Sequence, residues 1–254
     1  MINGGLWFKE VKEQARLAVP LGCLLAGAGI LSPLVFPWVS GWLAEEWGGI
    51  PLLVSAGKVK WLPATFFNYS WILWTTLLGG LLSLFSLLIG AKSLAGEIRG
   101  GTAVFLSSKP VSPREVVTTK FFAGIFYLFM LVLLPSFLFS LAAIFSGLSF
   151  YLVPFWTSSL ICLVGVMAVY AGGLFFSSLH HNPWWAGLSA LVFWVLISLP
   201  GFLVSAHSYS FFYYLRSLGY FLEGQTAFIP LGVNLVTAFL FYEVSVYAWE
   251  RREL

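Results

Sequence analysis

The residues able to do chemistry are few, and most lie together. Between positions 94 and 120 the chain reads LAGEIRGGTAVFLSSKPVSPREVVTTK, a stretch holding Glu97, Arg99, Lys109, Arg114, Glu115 and Lys120. Other candidates are scattered. His180 and His181 are adjacent, in HHNP, with no Cys, Asp or Glu beside them. A bound zinc needs about four converging ligands, so this pair reads as an interfacial turn. Cys23 and Cys162 sit in separate apolar runs and read as packing residues rather than a loop disulfide or a metal motif. Glu243 is the one ionisable residue well inside an apolar segment, about two turns from Arg251, where it can snorkel or pair at an interface. No HExxH, GxSxG, Walker lysine loop or carboxylate pair occurs. The chain is not expected to be an enzyme, and it offers no catalytic, cofactor-binding or metal-ligating set.

Composition says what must hold these residues. The chain has 254 residues, 59% hydrophobic and only 9% charged, with 13 Lys and Arg against 10 acidic residues, all of them Glu. A soluble domain carries about 25% charged residues. This composition cannot clothe a water-facing surface, which excludes an ordinary cytosolic enzyme, a disordered chain and a nucleic-acid binder. An all-α polytopic membrane protein remains. Apolar segments near 17–43, 69–91, 117–146, 153–179, 184–205 and 227–248 each exceed the roughly 20 residues needed to cross a bilayer. They are expected to form a single membrane domain over 1–254, with no room for a separate catalytic domain. Trp38, Trp42, Trp71, Trp74, Tyr151, Trp156, Trp184, Trp185, Tyr247 and Trp249 flank them as an interfacial belt.

The start reads differently. In GGLWFKEVKEQAR, residues 4–16, Trp7, Phe8, Val11 and Ala15 fall on one helical face, while Lys9, Glu10, Lys12, Glu13 and Arg16 fill the other. This predicts an amphipathic helix lying flat at the membrane surface. The apolar run beyond it continues past Cys23 to Val39, longer than a cleavable signal core, so a retained first span is expected.

Lys and Arg distribution sets the orientation. Ten lie in the amino-terminal segment, the 92–120 region and the tail; only Lys58, Lys60 and Arg216 lie on the opposite side. The positive-inside rule then places both termini and the 92–116 loop in the cytoplasm of a multi-pass protein of the cell membrane. On the outer side, AHSYSFFYYLRSLGYFLEGQT, residues 206–226, is too aromatic for a free loop and too broken for a span. It predicts a re-entrant or interfacial helix with Phe211, Phe212, Tyr213 and Tyr214 at headgroup depth. Thr75, Thr76, Ser83, Ser86 and Asn234 are expected to make hydrogen bonds between helices.

Within 94–120, Gly96, Gly100 and Gly101 break the helix leaving the second span, Thr102 can cap a new short helix, TAVFLSS, and Pro110 and Pro113 end it. Ser112 or Pro113 starts the third span. The short helix would lie across the mouth of the membrane domain with an apolar face seeking a partner, or would rest on lipid headgroups.

The stretch Glu97–Lys120 resembles the permease subunits of the type-2 ATP-binding-cassette (ABC) transporter family. Gly101, Thr102, Leu106, Pro110, Arg114, Glu115 and Lys120 match the family's pattern, besides Glu97. The amphipathic start and the basic tail AWERREL are similar too, while Pro113 and Ser107 depart from the pattern. The resemblance implies a membrane subunit, an exporter, that works as a pair with a second permease, identical or homologous. A separate ABC ATPase subunit would bind the ATP and magnesium, so no cofactor belongs to this chain. It implies that Glu97, Arg99, Gly101, Thr102, Phe105, Leu106, Pro110, Arg114 and Lys120 couple to that ATPase, and that Phe211, Phe212, Tyr213 and Tyr214 form an outer gate. Partners beyond these are membrane lipid and no nucleic acid. The competing classes are a gradient-driven carrier or channel, which requires a buried ionisable site, and a membrane assembly factor.

Overall fold

The structure, a computed structural model, describes residues 4–47, 70, 73–74, 79–102, 111–148, 151–203, 210–217, 220 and 226–252. For 40–47 and 201–203 it describes the backbone alone. Among the described residues there are seven helices and no strand: α1 (Gly4–Trp47), α2 (Gly79–Arg99), α3 (Pro113–Phe145), α4 (Leu152–Leu179), α5 (Pro183–Leu203), α6 (Phe211–Leu215) and α7 (Phe228–Glu250). All but α6 are long and apolar enough to cross a bilayer. The protein is a multi-pass membrane protein.

Two elements run differently from the sequence reading. Helix α1 is unbroken from Gly4 through Trp47, with Pro20, Pro33 and Pro37 inside it. The amphipathic start is thus the first turns of the first long helix, not a separate element. Its inward positions also differ: Leu6, Glu10 and Ala18 are buried, whereas Phe8 is exposed. Helix α2 runs through Gly96, expected to break it, and stops only at Arg99, before Gly100 and Gly101. The stop is chemical. Gly101 has φ of +70°, a left-handed conformation that glycine adopts without a Cβ penalty, and its N–H caps the Ile98 carbonyl at 3.1 Å. Helix α3 begins as its sequence dictates. Ser112 is the N-cap, Pro113 follows it, and Glu115 closes a capping box with Ser112.

Helix α4 is the centre of the bundle, packed on α2 and α7 and, less extensively, on α3 and α5; α1 packs along α3. At the α2–α4 crossing the backbones almost touch. A Cβ on Gly90 would lie 2.4 Å from the Tyr170 carbonyl oxygen, and one on Gly173 would lie 2.7 Å from that of Leu87. This is the small-residue packing that helices use in lipid, where close van der Waals contact replaces the hydrophobic driving force. Polar side chains lock the same pair. The Ser177 hydroxyl accepts from the Leu94 and Ala95 N–H groups and donates to the Ala91 carbonyl.

At the opposite end, Trp74 donates its indole N–H to the Ser136 hydroxyl at 2.7 Å and packs against Phe139 and Phe155. Wide apolar faces remain uncovered on α1, α5 and α7, among them Leu31, Leu34, Trp184, Val195, Phe239 and Leu240. In a bilayer these face lipid chains.

Candidate functional site

Three helix ends converge on one buried ionic cluster. Helix α1 brings Lys9 and Glu10, the last turns of α2 bring Glu97, and α3, two turns past its cap, brings Lys120. The Lys120 ammonium donates to Glu10 Oε1 at 2.5 Å and to Glu97 Oε1 at 3.0 Å. Lys9 donates to the same Glu97 oxygen at 2.8 Å. Thr102 donates to the other Glu97 oxygen, Oε2, and lies 3.2 Å from the Glu97 carbonyl oxygen. The Lys120 side chain is 1% exposed and those of Glu10 and Glu97 are 4% and 6% exposed. One ammonium group, Lys120, and two carboxylates thus meet in near isolation from water, with the partly exposed Lys9 at their edge. Removing a charge from water costs several kcal/mol unless a partner compensates. Each of these groups has one.

The surroundings hold the cluster in place. The Tyr170 hydroxyl, from α4, donates to the Lys120 carbonyl at 2.7 Å, while the tyrosine ring covers Gly124. Tyr127 donates to the Val11 carbonyl at 2.5 Å, and Trp7 meets Phe126 edge-on. Beside the cluster, α1 and α2 diverge around a cavity of about 320 Å³ lined by Glu13, Gln14, Leu17, Ile89, Lys92 and Ser93 together with the cluster itself. Glu10, Glu13 and Glu97 bring carboxylate oxygens within 4.8 Å of one another. Lys120 pairs with Glu10 and Glu97, and Lys9 pairs closely with Glu97 and loosely, at 3.8 Å, with Glu13, so the three carboxylates read as the acidic half of an ion-pair network rather than a metal-binding set.

The residues named from sequence fall into separate places. Glu97, Thr102 and Lys120 meet in the cluster. Lys120 and Glu97 point inward and cannot themselves touch an external partner. Arg99 and Gly101 are exposed at the end of α2. Arg114 is exposed and lies 3.4 Å from Glu243, which therefore pairs across to α3 rather than along α7 to Arg251. Arg251 lies over the Tyr247 ring. Phe105, Leu106 and Pro110 lie outside the described residues, as do Thr75 and Thr76. Glu10 and Lys9 are not singled out by sequence, although the scarcity of charge in this chain is a signal that each charged residue needs an explanation.

The aromatic candidates of the other end form α6. Phe211 and Tyr213 are buried, with Phe212 and Tyr214 half-buried, and Phe211 packs 4.4 Å from the Trp194 ring centre. Leu215 abuts Gly165, 13 residues along α4, a depth of roughly 20 Å at 1.5 Å per residue. Helix α6 therefore reaches the middle of α4, and Phe211 and Tyr213 face protein instead of headgroups. Arg216 follows at that depth, half-buried. Asn234, fully buried on α7, donates to the Tyr214 carbonyl at 3.4 Å, an interhelical bond as expected. Ser83 and Ser86 instead donate to carbonyls of their own helix. Ser136 and Ser177 serve between helices in their place.

No protein-family model matches the chain, and no curated protein matches it.

Proposed function

We propose that this chain is the membrane-spanning subunit of an ATP-driven transporter, an exporter of the type-2 ABC kind, coupled to a separate ATPase through the segment that leaves α2. The observation that carries the reading is the anchoring of that segment. Glu97 and Thr102 bracket the α2 stop and are tied through Lys120 and Lys9 to α3 and α1. A force applied to the loop beyond Thr102 is therefore delivered to three long helices at once. Closure of a paired ATPase on ATP would supply that force, and rocking of the bundle would alternate access. Helix α6, seated at mid-depth, would close the outer side. Both termini and the connection from α2 to α3 face the cytoplasm in this reading, as the Lys and Arg asymmetry argues. A second permease subunit completes the assembly.

A gradient-driven carrier is the second reading, and it too has an observation in its favour: a buried ionisable cluster of the kind such carriers use. The cluster's position argues the other way. It lies at the end of the bundle, where α1 begins and α2 ends, and the ionisable residue placed at mid-depth is half-buried Arg216, a permanent cation that cannot readily take up and release a proton.

The test is a Phe105→Ser, Leu106→Ser double variant, with copurification of an ATPase subunit and substrate-stimulated ATP turnover as readouts. Loss of the subunit, or turnover deaf to substrate, supports coupling through this loop. Unchanged copurification and turnover in a normally folded protein rules the reading out.

A further inference from the structure

We infer that the cavity between α1 and α2 is a binding site for a phospholipid with a primary-ammonium headgroup, a phosphatidylethanolamine. The inference rests on the membrane placement of the helices and not on pairing with an ATPase.

The balance of charge inside the cavity points to a zwitterion. Lys9, Lys92 and Lys120 line it with Glu10, Glu13 and Glu97. Lys120, Lys9, Glu10 and Glu97 satisfy one another within 2.5–3.0 Å. Two lining groups of opposite sign, one from each helix, have no partner that close. Glu13, on α1, reaches Lys9 only at 3.8 Å, and its side chain is 55% exposed. Lys92, on α2, is exposed and has no ion pair among the described residues. Glu13 and Lys92 do not bridge each other, although both line the cavity. A ligand that bears a cation and an anion on adjacent atoms satisfies both. A phosphate suits the compact lysine ammonium, and a primary ammonium can donate charge-assisted hydrogen bonds to a carboxylate where a quaternary one cannot.

The same walls turn apolar one turn deeper. Leu17 follows Glu13 by four residues on α1, and Ile89 precedes Lys92 by three on α2, so each lies under its charged neighbour on the side toward the bundle's middle. Along the helix axes the cavity runs from charged to apolar, the order in which a phospholipid presents headgroup and acyl chain. Leu17 is 49% exposed, which leaves that side open to a chain lying in the bilayer. Gln14 and Ser93 add an amide and a hydroxyl at the boundary, where ester oxygens would sit.

The test uses the purified full chain in detergent micelles, offered an equimolar mixture of phosphatidylethanolamine, phosphatidylcholine and phosphatidylglycerol of matched acyl chains. Native mass spectrometry reads the lipids retained. The wild type is expected to keep phosphatidylethanolamine in preference to both others, and Lys92→Ala and Glu13→Ala each to lower that retention by about tenfold, the loss of one charge-assisted contact. Both side chains are exposed, so thermal melting is expected to stay unchanged. Free phosphoethanolamine, the headgroup without chains, is expected not to displace the lipid at equal concentration. Equal retention of the three lipids, unchanged retention in both variants, or displacement by the free headgroup would each overturn the assignment.

Discussion

Lys120 Nζ and Glu10 Oε1 lie 2.5 Å apart although 110 residues separate them in the chain. That contact joins the first helix to the third at a point where water scarcely reaches either side chain. In an aqueous-facing protein such a pair would be an ornament; ion pairs at exposed sites contribute about 0–1 kcal/mol. Here the neighbours are shielded, and the consequence of losing one partner is larger than the worth of the pair.

Lys120→Met should therefore be costly. It strands Glu10 and half-strands Glu97, and breaking a buried pair from one side costs about 3–5 kcal/mol. Lys120→Met combined with Glu10→Gln and Glu97→Gln removes the stranded charges and should recover much of the loss, with Lys9 free to reach solvent. Thermal melting of wild type, the single variant and the triple variant in one detergent decides. A single variant that melts like wild type, or a triple variant worse than the single, would show that the cluster is not a mutually dependent unit.

The helix crossing at Gly90 allows a cleaner comparison. Gly90→Ala places a Cβ where backbone already stands, 2.4 Å from the Tyr170 carbonyl oxygen, and should destabilise by about 1–3 kcal/mol through overpacking. Gly80→Ala, on the same helix, meets nothing within 4 Å and should be neutral or mildly stabilising. Equal melting temperatures for the two variants would contradict the packing described for α2 and α4.

Ser177→Ala should loosen α2 without moving α4. It withdraws the hydroxyl that accepts from Leu94 and Ala95 and donates to Ala91, at an expected cost of about 1–2 kcal/mol. Hydrogen exchange at the amides of 94 and 95 should speed up while that of the α4 amides stays slow. Unaltered exchange at 94 and 95 would mean the hydroxyl plays no part in securing this turn.

Orientation is open to direct labelling. With Cys23 and Cys162 replaced, single cysteines at positions 58 and 107 should react oppositely with an impermeant thiol reagent applied outside intact cells, position 58 labelling and position 107 not. The reverse pattern would invert the reading of the Lys and Arg asymmetry.

Local chemistry makes some features readable from the sequence alone. Ser112, Pro113 and Glu115 mark the start of α3 because their caps are formed within four residues. Gly100 and Gly101 mark the end of α2 for the same reason. Glu10 shows the limit. Periodicity assigns it to the polar face of a surface helix, since a carboxylate beside Lys9 and Lys12 looks solvated. Its burial depends on a cation delivered from the far side of two spans, and no local pattern carries that. Serines divide along the same line. Ser83 and Ser177 both lie in apolar helical runs, yet one serves its own helix and the other a neighbour, because only the crossing at Gly90 and Gly173 brings a foreign backbone within reach of Ser177. Gly96 misleads, since it looks like the first of three breakers yet lies inside α2, whose end Gly101 sets.

Arg252, just past α7, ties the end of that helix back to the end of α4. Its guanidinium donates to the carbonyls of Ser178 and His180, more than seventy positions earlier, finishing the exposed end of α4. While the chain is being made, those carbonyls stay open until α5, α6 and α7 have all been threaded and placed. A chain cut anywhere before Arg252 would leave the Ser178 and His180 carbonyls without this donor, at the turn into α5.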